Sequence, residues 1–136
     1  MKLLFAFFAE SIVLTNDGRF HALNGSTEGL KVSVFPASVT NLSLLARFSF
    51  DVSEFGKEFR SKVKVVAPTG AELNPPLEVK LTPNAYQHHP ERPNVYTVHY
   101  RYDGFAMTVP GEYKFHIQLD DQVAGVVTLD AVLEQP

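Results

Sequence analysis

The stretch Gly111-Glu112-Tyr113-Lys114-Phe115-His116-Ile117-Gln118-Leu119, the tip Asp120-Asp121-Gln122, and the return run from Val123 to Leu133 decide the fold. Tyr113, Phe115, Ile117 and Leu119 alternate with Glu112, Lys114, His116 and Gln118. A period of two puts apolar side chains on one face of an extended strand and polar ones on the other. The polar tip turns Val123, Val127 and Leu129 back as an antiparallel partner, and Asp is favoured there because its carboxylate bonds the local backbone. A hairpin with one apolar face needs a second layer to bury it.

Working outward, turn signals recur at Asn16-Asp17-Gly18, Asn24-Gly25, Pro36, Phe55-Gly56, Pro68-Thr69-Gly70, Asn74-Pro75-Pro76, Pro83, Pro93, Asp103-Gly104 and Pro110-Gly111. The runs between them are rich in Val, Phe, Leu and Tyr and predict about nine strands. These are Leu3–Leu14, Arg19–Leu23, Leu30–Phe35, Leu42–Phe50, Glu58–Val66, Leu77–Thr82, Val95–Tyr102, Glu112–Leu119 and Val123–Leu133. In the fourth, Leu42, Leu44, Ala46, Phe48 and Phe50 share the inward face, with Ser43, Arg47 and Ser49 outward. In the fifth, Phe59, Val63 and Val65 point in; in the sixth, Leu77, Val79 and Leu81 do. No helical stripe is present, and Ser53 to Phe59 has room for one short turn only. Strands without helices predict an all-β fold: an antiparallel sandwich of immunoglobulin-like or C2-like type, about eight or nine strands, in one domain over residues 1–136.

A chain of 136 residues can bury roughly two-thirds of its unfolded surface. Eleven Phe and five Tyr fill a sheet core without disulfides. The absence of cysteine excludes a disulfide framework, a thiol nucleophile and thiolate zinc sites, and fits a reducing, cytoplasmic setting. A net charge of −3 argues against nucleic acid as partner. No apolar run approaches the roughly 20 residues of a membrane span. Lys2 followed by Leu3 to Ala9 has the look of a signal peptide, which makes export the alternative. That run is short, Glu10 ends it, and Ala6 and Ala9 lack small-x-small spacing, so it predicts a first strand, central because both its faces are apolar.

Candidate chemistry is sparse. His88-His89 in the Pro83–Asn94 loop, with His99 and Glu91, are the candidate metal ligands, but adjacent histidines diverge and no i, i+2 or i, i+4 pair occurs. A solvated polar loop is the simpler account, and no cofactor is expected. Ser11, Ser26 and Ser53 lack the context of a nucleophile, and no Gly-x-Ser-x-Gly elbow exists. Asn41-Leu42-Ser43 matches a glycosylation acceptor and carries no meaning inside a cytoplasm. Arg60, Lys62 and Lys64, with Lys57, Lys80 and Arg47 from neighbouring strands, form a basic stripe: an anionic-ligand patch, or more simply a solvated face that discourages edge pairing. Tyr96, Tyr100 and Tyr102 share a parity with Val98; exposed, they stack on sugar rings or anchor a partner, and inward they are core.

Phe8-Ala9-Glu10, Asp17-Gly18-Arg19, Gly25, and the late Pro110-Gly111-Glu112-Tyr113-x-Phe115 resemble the pattern of an uncharacterised family of short bacterial β-sandwich proteins, a domain of unknown function. The resemblance spans most of the chain and rests on turns and core positions. It implies an all-β sandwich and supplies no catalytic residue. The expectation is a small, soluble, non-enzymatic module that binds a protein partner or self-associates through its loops or an exposed edge strand. The alternatives are a module for carbohydrate or an anionic lipid surface, and a metal enzyme built on the histidines.

Overall fold

The computed structural model describes residues 1–15, 19–25, 29–84 and 94–134, all but Asn74 with their side chains. They form ten strands: β1 (Lys2–Ala9), β2 (Ser11–Leu14), β3 (Phe20–Leu23), β4 (Gly29–Val32), β5 (Ala37–Ser49), β6 (Phe59–Val66), β7 (Glu72–Leu81), β8 (Val95–Met107), β9 (Gly111–Leu119) and β10 (Gln122–Leu133). A single 3-10 turn, Val52–Glu54, is the local element between β5 and β6. A three-stranded sheet in the order β1-β5-β8 lies over a five-stranded sheet in the order β4-β10-β9-β6-β7, and β2-β3 make a separate ribbon. Pairing is antiparallel except between β4 and β10.

One core cluster joins the two sheets, with Leu42, Leu44 and Phe48 from β5 meeting Tyr113, Phe115 and Ile117 from β9. The ring of Phe8 packs edge-on against Phe115 at 4.7 Å between centroids. Burial of each such side chain contributes about 1.5–3 kcal/mol, which offsets the cost of ordering the chain, about 1–2 kcal/mol per residue. The alternation holds through most of residues 112–119: Tyr113, Phe115 and Ile117 are buried and Glu112 and Lys114 exposed, while His116, Gln118 and Leu119 are half-buried. At the tip, Asp120 and Asp121 both take left-handed backbone, as a two-residue hairpin turn requires. Asp120 also accepts the Arg60 N–H on Oδ1 at 2.9 Å, which ties the tip to β6.

The Pro110-Gly111-Glu112-Tyr113 segment carries the chain from one sheet to the other. Gly111 has φ +129°, and a Cβ there would meet the Pro68 ring at 2.9 Å, so glycine is required twice over. The Tyr113 hydroxyl reaches back and donates to the Val109 carbonyl at 2.7 Å. This tyrosine corner, of the kind seen in Greek-key sandwiches, locks the crossing from β8 to β9.

Several expectations need correction. Leu3–Leu14 is two strands, because the chain leaves the sheet at Glu10, whose N–H donates to Leu23 O at 3.0 Å. The first strand is marginal in its sheet, with β5 at the centre. The β2-β3 ribbon covers its second face at Phe7 and Ala9, where Phe7 meets Phe20 at 5.7 Å, while Leu4 and Phe5 stay exposed. The same cover buries Ser43 and Leu45 on the side of β5 expected to face solvent. β5 begins at Ala37, β7 begins at Glu72 and runs through Pro75-Pro76, and β8 runs through Asp103-Gly104 to Met107. In that last case Gly104, at φ +73°, bends a continuous strand where a turn was expected.

Candidate functional site

Strand β8 closes one side of the three-stranded sheet, and among the described residues no strand pairs with its outer edge. Its register with β5 is regular from Ser49↔Val95 to Ala37↔Met107, without a bulge. The Phe50 N–H donates to the Asn94 carbonyl at 3.0 Å, so that pair is of the hydrogen-bonded kind. Hydrogen-bonded pairs recur at every second position of an antiparallel ladder. Tyr96, Val98, Tyr100 and Tyr102 therefore spend their backbone groups on β5. Thr97, His99, Arg101 and Asp103 direct their N–H and C=O groups away from the sheet.

The side chains of those four residues lie on the outer face. Arg101 Nε donates to Asp103 Oδ1 at 2.9 Å, and both side chains are well exposed. Arg47 Nε donates to Thr97 Oγ1 at 3.0 Å. His99 Nε2 lies 3.0 Å from Ser43 Oγ. Burial, and then the nearby Arg101 charge, hold the His99 imidazole below its ordinary pKa. Ser43 is only 3% exposed, so its hydroxyl faces the imidazole and not an incoming substrate. A small recess of about 100 Å³ beside the pair is lined by Glu10, Ser11, Asn41 and Arg101.

On the inner side of β8 the two sheets part. A crevice of about 370 Å³ opens between β7 and β8, lined by Leu73, Leu77, Tyr102 and Phe105. The Tyr102 hydroxyl borders this region, is buried, and has no hydrogen-bond partner among the described residues. Burial raises the pKa of that phenol strongly.

Of the tyrosines singled out from the sequence, Tyr100 is fully inside the core, with Tyr96 and Tyr102 packed against it. The inward alternative is therefore the one the fold adopts for this face. The Tyr100 hydroxyl crosses the sandwich to donate to Ser61 Oγ, and burial pushes its pKa up to about 12. Arg60, Lys62 and Lys64 do line up on β6, where β7 sets Glu78 opposite Lys62 and Lys80 opposite Arg60. Arg60 reaches Glu78 at 3.7 Å and Glu58 at 3.9 Å, while Lys62 reaches Glu78 at 4.0 Å. Lys80 likewise reaches Glu58 at 3.9 Å. Arg47 does not join the stripe; it sits on the other sheet, over the rings of Phe5 and Phe20 at 5.6 and 5.4 Å.

His88, His89 and most of the Pro83–Asn94 loop lie outside the described residues. Among the described residues no group of three or more His, Asp or Glu side chains is placed to hold a metal ion. The Arg101–Asp103 pair follows from alternation along one strand, whereas the His99–Ser43 pair joins two strands. Alternation marks residues 97, 99, 101 and 103 as one face, but which residue of another strand lies opposite depends on register.

Among the described residues no helix is long and apolar enough to cross a membrane. No curated protein matches the chain. A model for a family of unknown function, DUF6941, matches residues 4–132, from within β1 to nearly the end of β10, and the chain belongs to that family.

Proposed function

We propose that this protein is a non-enzymatic interaction module that recruits a polypeptide by strand addition at the outer edge of β8. The carrying observation is the run of backbone groups at Thr97, His99, Arg101 and Asp103 that no strand among the described residues pairs with, on a regular, proline-free stretch. An extended peptide laid against such an edge gains main-chain hydrogen bonds, and pockets beside the edge select its side chains. The crevice between β7 and β8 supplies an apolar pocket of that kind. The other candidate surfaces give less support to a ligand site. The tyrosines are turned into the core, and Arg60, Lys62 and Lys80 of the basic stripe pair with Glu58 and Glu78.

Arg101→Pro tests this reading. Proline deletes an N–H that points away from the sheet and leaves the ladder to β5 intact. Light scattering and cross-linked pull-down from the native source are run on wild type and variant in parallel. Association, whether with a copy or with another protein, is expected in wild type and absent in Arg101→Pro. A strict monomer that captures nothing, or capture indifferent to the proline, rejects the proposal.

A further inference from the structure

We infer that the occupant of the β8 edge is a second copy of this chain, paired antiparallel about a two-fold axis at Tyr102. This names a partner for the strand-addition reading and rests on it. Three observations select the copy and the register.

The first is which amides point outward. An axis passing between two residues sets outward amides against residues already bonded to β5. An axis through a residue sets the outward amides of both copies face to face, as a hydrogen-bonded ladder requires. The second is charge. With the axis at Tyr102, Arg101 lies opposite the partner's Asp103, and Asp103 lies opposite the partner's Arg101. Both side chains stand on the outer face, exposed and already adjacent at 2.9 Å within one chain. Pairing therefore creates an alternating cluster of four charges, and opposite charges across a ladder favour the register that makes them. An axis at Arg101 opposes two guanidiniums, one at Asp103 opposes two carboxylates, and one at Tyr100 sets His99 against the partner's Arg101. The edge is thus self-complementary in one register and repulsive or neutral in the neighbouring ones. The third is room. The same axis sets Gly104, which has no side chain, opposite the partner's Tyr100. Around a Cβ built at Gly104 the nearest atom is Ser38 Oγ at 3.7 Å.

Sedimentation of charge-reversal variants tests the register. Wild type should move with rising concentration from the 15.1 kDa of one chain toward twice that mass. Arg101→Asp alone sets carboxylates against each other, and Asp103→Arg alone sets guanidiniums against each other, so each should stay at one-chain mass. Mixed in equal amounts, the two should form a one-to-one dimer, because every carboxylate then meets an arginine of the other chain. The intrachain pair is broken in both variants, so recovery in the mixture cannot come from repair within one chain. Thermal melting confirms that each variant is folded; if either is not, Arg101→Glu and Asp103→Lys replace the pair. A wild type that stays at one-chain mass, single variants that dimerise like wild type, or a mixture that fails to associate overturns the inference. A monomeric wild type whose captured partner is lost in Arg101→Pro overturns the self-pairing while strand addition stands.

Discussion

Strands β7 and β8 flank the same crevice, each at the margin of its own sheet, and they handle their open sides in different ways. In β7 the register with β6 shifts between Val63↔Leu77 and Val65↔Leu73, and Pro75 and Pro76 lie in the extra residues of that shift. Proline offers no N–H, and an irregular strand is a poor template, so β7 is guarded against pairing. The Glu58 and Glu78 pairs with Arg60, Lys62 and Lys80 add a charged cover to the adjoining face. β8 has none of these devices along 95–103: it carries no proline and no bulge, and its charges balance one another. Devices that discourage edge pairing are present on β7 and missing along this stretch of β8. This difference between the two strands is what the proposed strand addition at β8 draws on.

The largest effect should come from confusing the two sides of β8. Val98→Pro removes an N–H bonded toward β5 and disturbs a buried position, so it should cost about 3 kcal/mol or more and leave little folded protein. Arg101→Pro, three residues on, should change stability by less than about 1 kcal/mol, since the N–H lost points outward and the Arg101–Asp103 pair lost with it is exposed. Urea titrations of both variants check the contrast. Equal losses at the two positions mean that the parity assigned to the β8 ladder is wrong.

How much of this was visible in the residues themselves follows the same division. Alternation placed nearly every strand and chose the inward face of β5, β6, β7 and β9, because a one-residue error would turn a whole apolar set to water. It could not place β1, whose two apolar faces suit a central strand equally well. Only the fold shows the second face partly covered, by a ribbon that packs on Phe7 and Ala9 and leaves Phe5 exposed. Asp103-Gly104 carries the composition of a turn, yet β5 pairs on past it as far as Ala37↔Met107, so tertiary pairing overrides the local preference. The site was harder still. An edge is defined by which strand is missing beside it, and no local pattern encodes a neighbour that is absent.

A smaller effect tests what holds β8 to the sheet beneath it. Tyr100→Phe removes the hydroxyl that donates to Ser61 and strands the Ser61 oxygen, which is fully buried. A loss of about 1–2 kcal/mol is expected from leaving one buried polar group unsatisfied. The alkaline limb gives a second readout. Tyr100 keeps its proton to about 12 in the folded chain, against 10 when unfolded. Between those values the folded state binds more protons, so wild-type stability falls as pH rises, and Tyr100→Phe should flatten that limb. An unchanged slope would falsify the role given to this phenol.

The smallest effect belongs to His99, which no residue of β7 parallels. Burial, and then the Arg101 charge, both disfavour the imidazolium. The net direction is downward from 6.5, so the unfolded chain takes up this proton at a pH where the folded chain does not. The unfolded state then binds more protons, and stability is lost as pH falls below 6.5 through the folded value. His99→Gln keeps a polar side chain near Ser43 without a titrating group, and its acid limb should be flatter over that interval. The shift should also respond to the edge: Arg101→Gln removes the guanidinium beside the imidazole and should let His99 titrate at higher pH, as followed by the ring proton resonances. If His99 titrates identically in wild type and Arg101→Gln, Arg101 does not bear on the imidazole. In that case the outer face of β8 is less tightly coupled than the geometry of His99, Arg101 and Asp103 requires.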